Sequence, residues 1–296
     1  MKIKTILFFN FLIFKCTCCL IYPSQETVLS NRNGKTVTAV ETQEGKFAKL
    51  KYSNFNKDFE NEFAKLLSLN HSNIIEIISL DMANRIIIEE LGDCSLYNFI
   101  RNPNYFFKKY EFKTNLTLNE IKIDIIKQII EVLKYLHLDK NILHLDVKPQ
   151  NFVLFFIENR IIVKLIDFAS CEEVNTEINK INGTFEYAPP EMLDSTKIYA
   201  NFSSDIYSLG LTIYFILNGI SIGQAADSEI NSYYQVTTDD ESQKSFIYLI
   251  KHLKWRPELL NIDYLEINNL IKSCWTHNPS DRPTIKECYA IIKKLF

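Results

Sequence analysis

The chain has 296 residues, enough for one large or two modest domains with a filled core. Its 33 Lys and Arg against 36 Asp and Glu leave a net charge of −3, so it lacks the basic excess that goes with obligatory nucleic-acid binding. Glycine is scarce at 7 residues, which restricts any function resting on a glycine-rich phosphate loop.

Residues 1–22 differ from the rest. A basic start (Met1-Lys2-Ile3-Lys4) precedes an apolar run over 5–14, the length of a signal-peptide core, and Thr17 and Cys19 offer a weak cleavage pair. Asn10 and Lys15 interrupt the run too early for a membrane span. The expectation is a signal peptide on a secreted or secretory-pathway protein. The alternatives are an anchor, acylated at Cys18 or Cys19 and touching a membrane through residues 1–22, or a cytoplasmic protein. Cys94, Cys171, Cys274 and Cys288 have no metal-ligand spacing and read as small buried hydrophobes. Asn-x-Ser/Thr sequons stand at Asn70, Asn115, Asn182 and Asn201. A sugar at Asn70 or Asn182 would be damaging, so the chain avoids a glycosylating lumen or those sites stay empty.

From residue 23 the chain reads as one domain, with an N-terminal part to about residue 91. Residues 28–32 and 35–40 flank Asn33-Gly34, the strongest short hairpin signal, and Glu44-Gly45 turns into a third strand over 46–52. Phe59, Phe63, Leu66 and Leu67 form a helical stripe over 58–69 that also carries Glu62. Residues 86–91 read as a strand ending in two acids. The aromatic and basic insertion over 102–115 reads as a surface loop between helices, or else a docking patch. Ile125, Ile129, Val132, Leu133 and Leu136 then mark a helix over 121–136.

Residues 142–168 carry the chemistry. Two apolar strands end in a cluster of polar residues: His144, Asp146, Lys148, Asn151 and Asp167. A carboxylate (Asp146) can accept a hydroxyl proton, an amide oxygen five residues on (Asn151) and a second carboxylate (Asp167) can hold a metal between phosphates, and Lys148 can neutralise charge on a transferred phosphoryl group.

These residues stand as His144-Leu145-Asp146-Val147-Lys148-Pro149-Gln150-Asn151 and Asp167-Phe168-Ala169, which resemble the H-R-D-x-K-x-x-N loop and D-F-G triplet of the eukaryotic protein kinases. Downstream, Gly183-Thr184-Phe185-Glu186-Tyr187-Ala188-Pro189-Pro190-Glu191 resembles the end of the family's activation segment, and Ser204-Asp205-Ile206-Tyr207-Ser208-Leu209-Gly210 the head of its central helix. Asp281-Arg282-Pro283 matches a late signature. The matches run in order from about Val28 to the C-terminus.

The resemblance implies an α+β, bilobal protein-kinase fold: a small antiparallel β N-lobe with one helix (about 23–91) and a larger, mainly α-helical C-lobe (about 92–296). It implies transfer of the γ-phosphate of ATP, with Mg2+ or Mn2+ at Asn151 and Asp167, to a protein substrate oriented by Asp146. Lys148, placed as in the H-x-D-x-K-P-x-N pattern of serine/threonine kinases, and Thr184, whose counterpart there bonds the catalytic Asp and Lys, imply the serine/threonine type. Lys49, or alternatively Lys51, would be the third-strand lysine on the phosphates, paired with Glu62. Gly34 and Val37 would lie over the nucleotide, Ile88 would be the gatekeeper, and the backbone of Glu89 and Leu91 would meet adenine. His144 is expected to be structural, Asp205 to accept backbone N–H bonds from the catalytic loop, and Glu191 and Arg282 to form a buried ion pair. A monomer is expected. Leu145 in place of the loop arginine, with Lys180 where a phosphoacceptor often sits, implies activity without activation-loop phosphorylation. The missing loop glycines and Ala169 raise an alternative, a catalytically weak pseudokinase acting as a scaffold.

Overall fold

The computed structural model describes residues 25–32, 34–43, 45–53, 57–178, 183–193, 198–233, 239–259 and 265–295. The leader, Asn33, Glu44, Lys180 and Asn182 lie outside them, and with them the expectations of a signal peptide or anchor, of the Lys180 replacement and of the Asn182 sequon. Among the described residues no helix is long and apolar enough to cross a membrane.

The N-lobe is a five-stranded antiparallel sheet in the order β1-β2-β3-β5-β4, made of β1 (Gln25–Arg32), β2 (Lys35–Thr42), β3 (Gly45–Tyr52), β4 (Ile77–Asp81) and β5 (Ile86–Glu90). Gly34 takes φ +76° at the first turn, a conformation open to glycine at little cost. Register fixes which side chains share a face. Lys35 lies opposite Tyr52 and Val37 opposite Leu50, while Leu50 and Ala48 lie opposite Ile87 and Glu89. Directly opposed residues point the same way and successive ones alternate. One face therefore carries Lys35, Val37, Ala48, Leu50, Tyr52, Ile87 and Glu89. Helix α1 (Lys57–Ser68) packs there through Phe59, which joins Ala48, Leu50, Tyr52 and Ile87 in the N-lobe core.

The C-lobe begins with β6 (Cys94–Ser95) and α2 (Leu96–Arg101). The insertion expected as a loop contains a helix, α3 (Pro103–Lys109). Asn102 caps it by accepting from the Tyr105 N–H at 3.4 Å, and Pro103 presets φ in the first turn. Phe106 is buried, half-buried Phe107 packs on Phe99 and Phe112 on Phe156, each at 5.5 Å between ring centroids, while Tyr105 stays exposed. Helix α4 (Leu118–Lys134) starts at a capping box between Thr117 and Glu120 and buries Ile125, Ile126, Ile129, Ile130, Val132 and Leu133.

Short strands follow: β7 (Ile142–Leu143), β8 (Phe152–Ile157), β9 (Arg160–Leu165), β10 (Glu172–Glu173), β11 (Glu177–Ile178) and β12 (Ile198–Tyr199), with β10 paired to β7 and β11 to β12. Helix α5 (Phe202–Asn218) is buried along almost its whole length and ends at Gly219, φ +74°. Around it lie α6 (Ile222–Tyr233), α7 (Asp239–Ile247), α8 (Leu265–Cys274) and α9 (Ile285–Ile292). The segment after α1 stitches the lobes together. Asn73 donates from Nδ2 to the Val163 carbonyl at 2.7 Å and accepts from the Leu165 N–H at 2.8 Å, and Ile75 N–H donates back to the Leu165 carbonyl at 3.1 Å.

Where α5 meets α8, the absence of a side chain at Gly210 sets the spacing: a Cβ there would stand 2.7 Å from Cys274 Cβ. Gly210→Ala is expected to lower stability by about 1–3 kcal/mol through overpacking, read by chemical denaturation. An unchanged midpoint would show that the helices part without cost.

Candidate active site

The turn between β7 and the 3-10 turn Pro149–Asn151 is held from below by one carboxylate. Asp205, in the first turn of α5 and fully buried, accepts the N–H of His144 and that of Leu145, each at 2.8 Å, while His137 Nε2 lies 2.9 Å from Oδ2. Burial works against its ionisation, but the His137 contact and these bonds hold it below the usual carboxylate range. Leu145 takes φ +62°, a strained conformation for a bulky residue, which this anchoring maintains. The His144 ring spans the site. Its Nδ1 receives the Asp146 N–H at 3.3 Å, its Nε2 lies 3.3 Å from the Ile166 carbonyl, and its edge meets buried Phe168.

Asp146 is thereby presented with both oxygens engaged. Oδ2 accepts from Lys148 Nζ at 2.6 Å and from Asn151 Nδ2 at 2.8 Å, and Oδ1 from the Thr184 N–H at 2.8 Å. Lys148 Nζ also donates to the Thr184 hydroxyl at 2.5 Å. The structure thus brings together Asp146, Lys148, Asn151 and Thr184. Gly183 allows this approach, since a Cβ would sit 2.4 Å from the Leu145 carbonyl oxygen. Asn151 bonds through its amide nitrogen, so its side-chain oxygen is not used by these contacts. With the Asp167 carboxylate it makes a pair of oxygen donors suited to a hard divalent cation.

The lysine of the site is not the expected one. Lys49 lies opposite Thr38 and Ile88 on the outer face of the sheet, where its Nζ pairs with Glu26 at 3.0 Å, and Lys51, two residues on, shares that face. The inward positions of β3 are Ala48, Leu50 and Tyr52. The cation comes from β2: Lys35 Nζ donates to Glu62 at 2.7 and 2.8 Å and to Asp167 Oδ1 at 3.1 Å. Its two carboxylate partners keep Lys35 protonated although burial opposes the charge. Burial lifts Glu62, to about 7, against the pull of Lys35. Burial also works against Asp167, which Lys35, His144 and Lys148 nevertheless hold below the ordinary range. The signal was present in the sequence: apolar 48, 50 and 52 alternate with Lys49 and Lys51, which sends both lysines outward.

The gatekeeper assignment is corrected by the same register. Ile88 lies opposite Lys49 and points away from the cleft face, whereas Glu89 lies opposite Ala48 and points into it. Val37 packs with the N-lobe core on that face, Leu91 follows β5 and packs against the same core, and Gly34 forms the turn.

Further down, Arg282 holds Glu191 in a two-pronged pair at 2.7 Å on each branch, with the arginine side chain fully buried and Glu191 26% exposed. Leu145, in place of an arginine, packs with Leu143, Ile178, Met192 and Ala200 in a small apolar cluster that binds the segment after Asp167 to the catalytic turn.

Comparison with known proteins agrees with this geometry. A family model described as "Protein kinase domain" matches residues 28–291. A Dictyostelium discoideum protein named "Probable serine/threonine-protein kinase" is 31% identical over 251 residues, covering 80% of this chain and 24% of the relative. A Saccharomyces cerevisiae serine/threonine-protein kinase is 32% identical over 183 residues (58% and 13%), and a sperm motility kinase of Mus musculus 28% over 231 (76% and 41%). The chain spans less than half the length of these relatives.

Replacing Asp205 by Asn leaves one acceptor oxygen for two backbone N–H groups and removes the charge, so a loss of about 2 kcal/mol is expected at neutral pH. Because the folded-state pKa is depressed, the wild-type advantage is complete above the unfolded value and shrinks as pH falls through about 4 and below. Denaturation of both proteins across that range checks the sign; an advantage that grows on acidification would refute it.

Proposed function

The chain belongs to the protein kinase family, and we propose that it is a working serine/threonine kinase, moving the γ-phosphate of ATP onto protein Ser/Thr hydroxyls with Mg2+ or Mn2+. The observation that carries this reading is Lys35, whose ammonium lies between Glu62 and Asp167. In this reading the cation for the phosphates comes from β2, the β3 lysines Lys49 and Lys51 facing outward, and its presence counts against the scaffold alternative.

In this reading Asp146 orients the substrate hydroxyl and accepts its proton as the oxygen bonds to the γ-phosphorus and the bond to the β-phosphate oxygen breaks. Lys148, held between Asp146 and Thr184, neutralises charge on the phosphoryl group in flight. Lys35 binds the phosphates of the nucleotide. Asn151 and Asp167 would hold the metal ion, which when bound screens charge between the phosphates. We further propose that the activation segment needs no phosphate to order it. The apolar cluster around Leu145 and the β10–β7 and β11–β12 pairs supply the contacts that an arginine and a phosphate supply elsewhere.

Labelled γ-phosphate transfer to a generic Ser/Thr substrate tests the main reading. Asp146→Asn is expected to abolish incorporation and Lys35→Ala to reduce it by roughly 10²–10³-fold, while Lys49→Ala stays within about threefold of wild type. Absence of transfer by wild type with either metal would hand the protein to the scaffold reading. For the activation segment, phosphorylating Thr176, whose hydroxyl already bonds the Glu173 carbonyl at 2.8 Å, is expected to raise activity less than tenfold. A larger rise defeats that part of the proposal alone.

A further inference from the structure

The turn Phe185–Tyr187, which follows Thr184 and leads into Ala188 and Pro189, is clamped from three sides. From α5, the Ser208 hydroxyl donates to the Tyr187 carbonyl at 2.9 Å. From α7, Phe246 packs on Phe185 at 5.6 Å between ring centroids. The third contact is made by a charge. Half-buried Glu186 turns its carboxylate onto the start of α6, where Oε1 accepts a hydrogen bond from the Ser221 hydroxyl at 2.7 Å. Ser221 caps that helix: its hydroxyl accepts the Gln224 N–H at 3.2 Å, and its own N–H donates to Gln224 Oε1 at 3.1 Å. Arg101, at the end of α2, donates to the same Gln224 oxygen at 3.2 Å. An unbroken chain of hydrogen bonds therefore runs from α2 through the cap of α6 to the turn behind Thr184. Glycine makes room for it: a Cβ at Gly223 would stand 1.8 Å from Glu186 Oε1. The carboxylate also lies at the end of α6 whose dipole favours a negative charge.

What the turn carries gives this latch its consequence. Thr184, just before it, bonds Asp146 and Lys148, and a small recess beside Asp146 is walled by Thr184, Tyr187, Ala188 and Pro189. We infer that Glu186 is a positioning residue for phosphoryl transfer: anchored on Ser221, it holds the wall along which a polypeptide presenting its hydroxyl to Asp146 must lie. This rests on the kinase reading above. The nucleotide side of the cleft is built on Lys35, Glu62 and Asp167, which belong to other elements, so loosening the latch displaces the protein substrate and leaves the nucleotide in place.

The test is steady-state kinetics of the full chain, with the generic Ser/Thr substrate and MgATP each varied, for wild type, Glu186→Ala, Glu186→Gln, Gly223→Ala and the double variant carrying both alanine substitutions. In Glu186→Ala the KM for the protein substrate is expected to rise about tenfold, while the KM for ATP stays within about twofold of wild type. Glu186→Gln keeps an acceptor for the Ser221 hydroxyl and is expected to bring the substrate KM back to within about threefold of wild type. Gly223→Ala displaces only the far end of a flexible side chain, so it is expected to reproduce the Glu186→Ala effect at an unchanged melting temperature, and to add nothing in the Glu186→Ala background. A merely structural brace would lower the melting temperature and the active fraction and leave both KM values where they were; that result overturns the inference, as does an equal rise in both. Absence of transfer by wild type removes the kinase reading and this inference together.

Discussion

Everything at the reacting end of this molecule hangs from the buried carboxylate of Asp205. Two backbone N–H groups, those of His144 and Leu145, have no helix or sheet partner of their own, and one side chain on the most deeply buried helix supplies both acceptors. The bond pair fixes a backbone conformation that leucine would not otherwise hold, and that conformation aims Asp146 at the cleft. The wide apolar surface of α5 thus does chemical work at one remove. Its packing immobilises the helix start, which immobilises the carboxylate, which sets the direction of the Asp146 side chain.

Across the cleft a pair of carboxylates governs. Glu62 and Asp167 come from different lobes and share a single ammonium, from Lys35. One ammonium stands between two carboxylates, and the three side chains hold one another in place. In the proposed reading, this is how a chain so poor in glycine assembles a phosphate site. The requirement is a cation at a point in space, and any strand passing that point with its side chain inward can deliver it.

The C-lobe was nearly legible from the sequence because its signals are local and redundant. The apolar spacing of Ile125, Ile129, Val132, Leu133 and Leu136 marks a long helix, and the spacing of Asp146, Lys148 and Asn151 is short enough for one turn to deliver all three. The N-lobe was less so. There the position of a side chain depends on register, and a shift of one residue exchanges the two faces of a strand. The lysine moved from Lys49 to Lys35, and the inward position at the end of β5 from Ile88 to Glu89, for this single reason. In β3 the alternation of Ala48, Leu50 and Tyr52 carried the answer. In β5 three isoleucines followed by two acids show no alternation, so only the pairing with β3 decides. The helix over 103–109 was hidden differently: its aromatic density suggested a sticky surface, while the Asn102-Pro103 start was the better guide.

The placement of the ammonium on β2 changes how the roof of the cleft can move. In β3 a lysine would tie α1 to the middle of the sheet and leave the β1–β2 hairpin free to lift. Here the tie is at Lys35, one residue beyond the hairpin turn at Gly34, so the flap itself is leashed to α1 and to Asp167 of the lower lobe. Raising the flap and displacing the helix become one event instead of two.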